Sequence, residues 1–355
     1  VNLLNKIDAW AGRPVAVLGV SGTRALLGFV GLMFYVSQYG DRRYLFGPGN
    51  DTLLPHHLFL DELKGTGSSS VYAWSTSPVA FEVFFHLGLI AALAVTLGIG
   101  GRPVLAVHGI LLWSLYQRQS ALMDGGDNLM QLVIPMLLLT RCYDHFALRS
   151  PLGKRMTRRI PEVVRAAGVP LHNLGVAAIA AQMCLVYMVS GLYKVQGQSW
   201  QDGTALFYIM RVPEFEFPGV SEFVYNNDLL VYVGTYATVI FLVYFPVGVL
   251  VPALRPWAAA ASIGFHLSIG FFMGLTGFAL TMVACDLVFL SPELARALKA
   301  VRRLAARGKD PGARPAESAV EEEAVADVTA GVSGVSGTSD ASGQNREPVA
   351  AASAE

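Results

Sequence analysis

Residues 173–194 read NLGVAAIAAQMCLVYMVSGLYK, and the reading of this stretch decides the fold. From Leu174 to Tyr193 no residue is charged. A helix needs about 20 apolar residues to cross a hydrocarbon core of about 30 Å, so the stretch reads as a membrane span. It ends on Lys194, and VQGQSWQDG follows at once. Composition agrees with a membrane chain. The 355 residues are 53% hydrophobic and 15% charged, against roughly 25% charged in an average soluble domain, and the mean hydropathy is +0.47. A net charge of zero gives a nucleic-acid partner no electrostatic support. Cys142, Cys184 and Cys285 lie far apart, in or beside apolar runs. They read as small packing residues, not as a disulfide framework or a metal site.

Working outward, eight stretches qualify as spans: roughly 15–38, 79–99, 102–118, 127–143, 173–194, 229–251, 256–275 and 277–293. The third and fourth are short, and only GLTG separates the last two, so six or seven remain open and the last pair can be a re-entrant hairpin. The opening VNLLNKIDAW has no long apolar core directly after a basic start, so the first run is expected to be retained as a span. Lys and Arg concentrate on the cytoplasmic side of membrane proteins. With the N-terminus inside, the inner segment 141–165 holds Arg141, Arg149, Lys154, Arg155, Arg158, Arg159 and Arg165. The outer segment 195–228 carries Asp202, Glu214, Glu216, Glu222 and Asp228. This bias predicts both termini in the cytoplasm. Residues 1–300 form the expected transmembrane domain and 301–355 a disordered cytoplasmic tail, because ESAVEEEAVADV (317–328) and the Gly/Ser-rich run after it lack apolar periodicity. The fold class is all-α, a polytopic transmembrane helical bundle.

Ionisable groups at membrane depth are functional candidates by default, each with a plainer alternative. Arg24 lies too deep in the first span to snorkel; it is expected to face the bundle and pair structurally with an acid or with carbonyls. Glu82 and His86 share one helical face, but a lone pair does not make a metal site, and His108 and His266 are isolated. In MDGGDNLMQL (123–132), Gly-Gly makes a turn and Asp127 is expected to cap the following helix; alternatively Asp124 and Asp127 line an outward-facing pocket. Asp286 sits in the last span, where a tail arginine can reach it. GFFMG (270–274) permits close helix approach. Lys194 has two readings: an anchor with its ammonium in the headgroups, or a partly buried lysine acting as a neutral base. The positive-inside bias does not call for a lysine on the outer side, and VQGQSWQDG is not a charged surface loop.

Four blocks in fixed order carry a resemblance. They are TRALLGFVGLMF (23–34), ALAVTLGIGGR (92–102), AAQMCLVYMVSGLYKVQGQSWQDGTAL (180–206) and GFHLSIGFFMGLTGFALTMVACDLVFLSPE (264–293). Over about residues 13–293 the chain resembles the membrane domain of the vitamin K-dependent gamma-carboxylase family and the bacterial HTTM proteins built on it, which include SdpB-like proteins. The Lys…Trp…Gly block is the most specific. In the carboxylases its lysine is implicated as the base that deprotonates reduced vitamin K; it falls on Lys194, with one extra residue before Trp200. The resemblance implies an outer-face site of Lys194, Trp200 and Asp202, with Arg118 and Asp127 nearby and His266 from the closing block. Asp127, in GGDN, stands where the carboxylases have a functional histidine, and an Asp is not its equivalent near neutral pH. No counterpart of the large lumenal substrate domain follows residue 293, so carboxylation of propeptide-bearing glutamates is not expected.

The resemblance thus implies a multi-pass cell-membrane protein with quinol-linked chemistry, carboxylase-like or otherwise. Lys194 and Asp127 are its candidate catalytic groups, a menaquinone-like quinol its cofactor, and no metal is called for. The alternative is a non-enzymatic maturation or export partner for a secreted peptide, as in SdpB-like proteins. Beyond the lipid bilayer, the partner is then a secreted peptide or a redox protein. A transporter is the weakest reading, because paired broken helices are not evident.

Overall fold

The computed structural model describes residues 12–148 and 162–309, which are helical throughout their ordered elements, with no strand among them. The bundle helices are α1 (Val17–Ser37), α2 (Pro78–Leu97), α3 (Gly101–Arg118), α4 (Gly125–Leu139), α5 (Glu162–Gln196), α6 (Asp228–Leu250), α7 (Arg255–Phe272) and α8 (Thr276–Asp286). Helix α9 (Ser291–Lys309) follows. Each expected span therefore contains a helix, but they are unequal. Val17–Ser37, Pro78–Leu97, Gly168–Gln196 and Asp228–Leu250 are long and apolar enough to cross a membrane. A fifth crossing exists if Thr276–Asp286 and Ser291–Val301, bent by 91°, count as one. Helix α4 is apolar but has 15 residues, about 22 Å at 1.5 Å per residue.

Local sequence sets the helix ends. Pro78 occupies the first turn of α2, where its missing N–H costs nothing, and Gly98 closes the helix in the left-handed region at φ 72°. Asp124, not Asp127, is the N-cap of α4: its carboxylate accepts from the N–H groups of Gly126 (2.6 Å) and Asp127 (3.0 Å). Asp127 returns the bond to the Asp124 N–H at 3.1 Å, completing a capping box. The cap expected of Asp127 thus falls on Asp124, because Met123 is extended and Gly125 already lies inside the helix.

The shortest bundle helix is central. Helix α8 packs against α1, α4 and α7, and its Ala279, Thr281, Met282, Ala284, Cys285 and Asp286 are all buried. Small side chains permit this crowding. Thr23 of α1 donates to the Ala284 carbonyl at 2.7 Å, and a Cβ placed on Gly19 would stand 2.4 Å from the Leu287 carbonyl oxygen. Helix α8 also touches α5 and α1 touches α4; the remaining bundle contacts run along the chain, α1 on α2, α2 on α3, α3 on α4, α4 on α5, α5 on α6 and α6 on α7. The 270–274 GxxxG is not a helix seam. Gly270 meets Ala279, but Gly274 lies beyond the end of α7 in a turn at φ 68°.

Arg24 is fully buried in α1, and its partners are carbonyls. Its Nε donates to Cys142 (3.2 Å), Nη1 to Val95 and Thr96 (2.5 and 3.1 Å), and Nη2 to His145 and Phe146 (3.3 and 2.5 Å). Val95 and Thr96 lie in the last turn of α2, at its negative dipole end, so a cation fits there without an acid.

The chain divides into units of residues 1–298 and 299–355. Helix α9 carries residues 301–309, which were assigned to the tail. The expected disorder of residues 310–355 and the basic residues Arg149–Arg159 fall outside the described residues.

Candidate functional site

Lys194 ends the last turn of α5. Its Nζ donates to Ser190 Oγ at 3.0 Å, one turn back on the same face, and lies 5.2 Å from the centroid of the Trp200 ring. Among the described residues no carboxylate lies within ion-pair distance of it, and the residue is half-buried. The chain brings Trp200 back over Lys194 by breaking the helix at Gly197 and starting a short one, Gln198–Gln201. A Cβ on Gly197 would press the Trp200 ring at 3.0 Å. The turn is fixed to α6: Tyr236 donates to the Gln201 carbonyl at 2.5 Å, and Gly203, at φ 74°, leaves room for the Tyr232 and Tyr236 rings.

The other candidates do not converge on this amine. Asp202 is exposed and accepts from Gln198 Nε2 at 2.9 and 3.0 Å. Asp127, besides its capping role, accepts from Tyr116 of α3 at 2.5 Å, which ties α3 to α4. Arg118 is buried, donates to the carbonyls of Phe46 (3.1 Å), Gly47 and Leu54 (2.5 Å), and stands over the Phe59 ring. It thereby gathers the segment between α1 and α2. None of Asp127, Arg118 and His266 shares a hydrogen bond or ion pair with Lys194.

His266 belongs to a buried polar cluster that joins α5, α7 and α8. Asp286 Oδ2 accepts from Ser262 (2.5 Å) and Tyr187 (3.4 Å). Tyr187 OH also meets Ser262 Oγ and lies 3.3 Å from His266 Nδ1. That Nδ1 is 2.9 Å from the Ser262 carbonyl, so it carries the ring proton. Hydroxyls replace the tail arginine expected beside Asp286. Tyr187 and Ser190 were missed from sequence. The signal was present: Tyr187, Ser190 and Lys194, at i, i+3 and i+7, put three polar groups on one face of an otherwise apolar helix.

A pocket of about 410 Å³ lies elsewhere, between α3 and α4. Trp74, Ile110, Trp113, Gln131, Ile134 and Pro135 line it, and the half-exposed Ile110 and Trp113 mark an opening onto the apolar outer surface. Its size and lining suit a lipid-soluble molecule, but Lys194 does not line it. Among the described residues no group of three or more His, Cys, Asp or Glu is placed to hold a metal ion.

These features define an all-helical integral membrane protein with polar groups concentrated on the α5, α7 and α8 faces. The HTTM domain family matches residues 72–294, and the chain belongs to that family. It is 22% identical over 280 residues to Sporulation-delaying protein SdpB of Bacillus subtilis (strain 168), covering 76% of this chain and 80% of that protein. It is 24% identical over 213 residues to Uncharacterized protein YitO of the same organism, covering 57% of this chain and 65% of that one. No solved structure matches the chain.

Proposed function

We propose that this HTTM protein is a multi-pass enzyme of the cell membrane in which Lys194 accepts a proton from a lipid-soluble acid of the quinol class at the outer face. The observation that carries the reading is the set of groups around the amine: a hydroxyl and an indole face, with no carboxylate among the described residues. A carboxylate would fix the side chain as an ion pair. Ser190 does not, because its hydroxyl accepts from an ammonium and donates to a neutral amine equally well. The same groups fit an aromatic diol, with Trp200 offering a ring face and Lys194 an acceptor. A menaquinone-like quinol supplies an acidic ring hydroxyl and a tail that stays in the bilayer.

Two substitutions test this. Arginine keeps the charge and snorkels as lysine does, but its guanidinium has a pKa above about 12 and offers no lone pair. Lys194→Arg and Lys194→Ala are both expected to insert, to fold and to lose function by about 10²–10⁴-fold. The readout is a null-strain phenotype or maturation of a co-expressed secreted peptide. A photoreactive menaquinone analogue is expected to label residues 188–210 of the purified protein. Wild-type function in Lys194→Arg, with loss in Lys194→Ala, overturns the enzyme reading and favours the non-enzymatic peptide partner.

A further inference from the structure

Away from Lys194, where α3 meets the segment that precedes α2, a small cavity of about 10 Å³ is walled by Phe46, Pro48, Tyr72, Ser75, Phe81 and Arg118, with Ala80 and Phe84 completing it. That is room for about one water-sized body. Two wall residues hold buried polar atoms without a hydrogen-bond partner among the described residues, Arg118 Nη1 and the Tyr72 hydroxyl. Both residues are more than nine-tenths buried, at 1% and 5% exposure. Arg118 Nη1 can only donate, and the Tyr72 hydroxyl has a proton to donate. Burial holds the Tyr72 phenol well above its ordinary range, so it keeps its proton.

The charge also has no carboxylate in contact with it among the described residues. The three groups that accept from Arg118 are neutral carbonyls. Glu62 acts on it only through space, and its carboxylate accepts from Ser120 at 2.8 Å. A buried guanidinium is costly unless an opposite charge accompanies it. Aromatic edges carry partial positive charge, and Phe81 and Phe84 stand beside the Tyr72 ring at 5.7 and 6.0 Å. Water is the poorer occupant, because a neutral molecule brings no opposite charge to the buried guanidinium.

We propose that Arg118 and Tyr72 form a binding site for one small monovalent anion of chloride's size. The anion accepts from Arg118 Nη1 and the Tyr72 hydroxyl and neutralises the buried cation. The site joins α3 to the segment before α2, so occupancy stabilises that junction. It is independent of the Lys194 chemistry.

The test uses the purified full chain in detergent. Thermal unfolding is followed in sodium chloride, bromide, gluconate and sulfate at equal ionic strength. Chloride and bromide are expected to raise the midpoint by several degrees and to saturate; gluconate and sulfate, too large for the cavity, are not. Tyr72→Phe is expected to raise the half-saturating chloride concentration about tenfold and to leave the gluconate midpoint unchanged. In bromide, crystals are expected to show an anomalous peak within hydrogen-bond distance of Arg118. Coincident chloride and gluconate curves for the wild type, or no bromide peak there, overturn the proposal and leave a water in the cavity. An equal loss in both salts on Tyr72→Phe makes the hydroxyl structural and overturns it likewise.

Discussion

Replacing Arg24 by lysine is expected to destabilise the bundle strongly even though the charge is kept. The guanidinium serves five carbonyls, on Val95, Thr96, Cys142, His145 and Phe146. The Val95 carbonyl also accepts from the Gly98 N–H at 3.0 Å, and an ammonium has three N–H donors at one point, so at least one of the other four loses its partner. Each carbonyl left buried and unsatisfied costs about 1–3 kcal/mol, which sets the least cost of the substitution. The loss of the Tyr143 ring contact, 5.0 Å from the guanidinium, adds to it. Backbone carbonyls cannot be removed by mutation, so no second-site substitution restores the balance cheaply. Arg24→Met takes the side-chain donor from all five and leaves Val95 only the Gly98 N–H, though it relieves the burial of a charge. The assay is reversible unfolding in mixed detergent micelles, followed by helical circular dichroism. Arg24→Lys within about 0.5 kcal/mol of wild type, the size of an ordinary surface substitution, would refute the account of Arg24 as a carbonyl clamp.

Gly19→Ala is expected to cost about 1–3 kcal/mol or more in the same assay, because the new methyl meets backbone at Leu287 that cannot rotate away. Gly264→Ala, with nothing within 4 Å, is the control and is expected to be neutral or slightly stabilising. His56, in the helix His56–Thr66, has its pKa lowered from 6.5 by burial and by Arg118. The folded state therefore favours neutral imidazole, and the unfolded chain binds the proton first as pH falls. His56 stability is fully present above pH 6.5 and declines below it, so His56→Gln is expected to flatten the acid side of the stability–pH curve. Phe223→Cys, on an exposed residue, is expected to react with an impermeant maleimide on intact cells; reaction only after permeabilisation would place segment 195–228, and Lys194 with it, on the cytoplasmic side.

Much of the bundle was legible because spans are long apolar runs and hydropathy is a local property. The depth of Arg24 also announced a buried partner. What kind of partner was not legible, since the carbonyls that receive it lie 71 to 122 residues away in sequence. Four of the eight expected spans are long and apolar enough to cross unaided, and α8 only together with the start of α9. Arg102 and His108 lower the apolar character of α3, and α8 has only 11 residues. Within the candidate site, Lys194 and Trp200 were readable as one unit because a single turn at Gly197 connects them. Arg118, Asp127 and His266 were grouped with them by resemblance alone. Their long-range partners are the Phe46, Gly47 and Leu54 carbonyls for Arg118, the Tyr116 hydroxyl for Asp127 and the Tyr187 hydroxyl for His266, and no spacing in the sequence encodes those contacts. Ser190 could have been found from its four-residue offset to Lys194.

The grip of Arg118 on the Phe46, Gly47 and Leu54 carbonyls imposes an order on biogenesis. These carbonyls leave the ribosome 64 to 72 residues before the side chain that gathers them. At about 5–20 residues per second, the interval is about 3–14 s. During it the segment between α1 and α2 has emerged while its clamp does not yet exist. A nascent chain arrested before Arg118 should therefore expose this segment to protease, and one arrested after α3 has inserted should shield it. The vulnerable moment of this membrane protein falls early, in a segment that has already been made and still waits for a later helix.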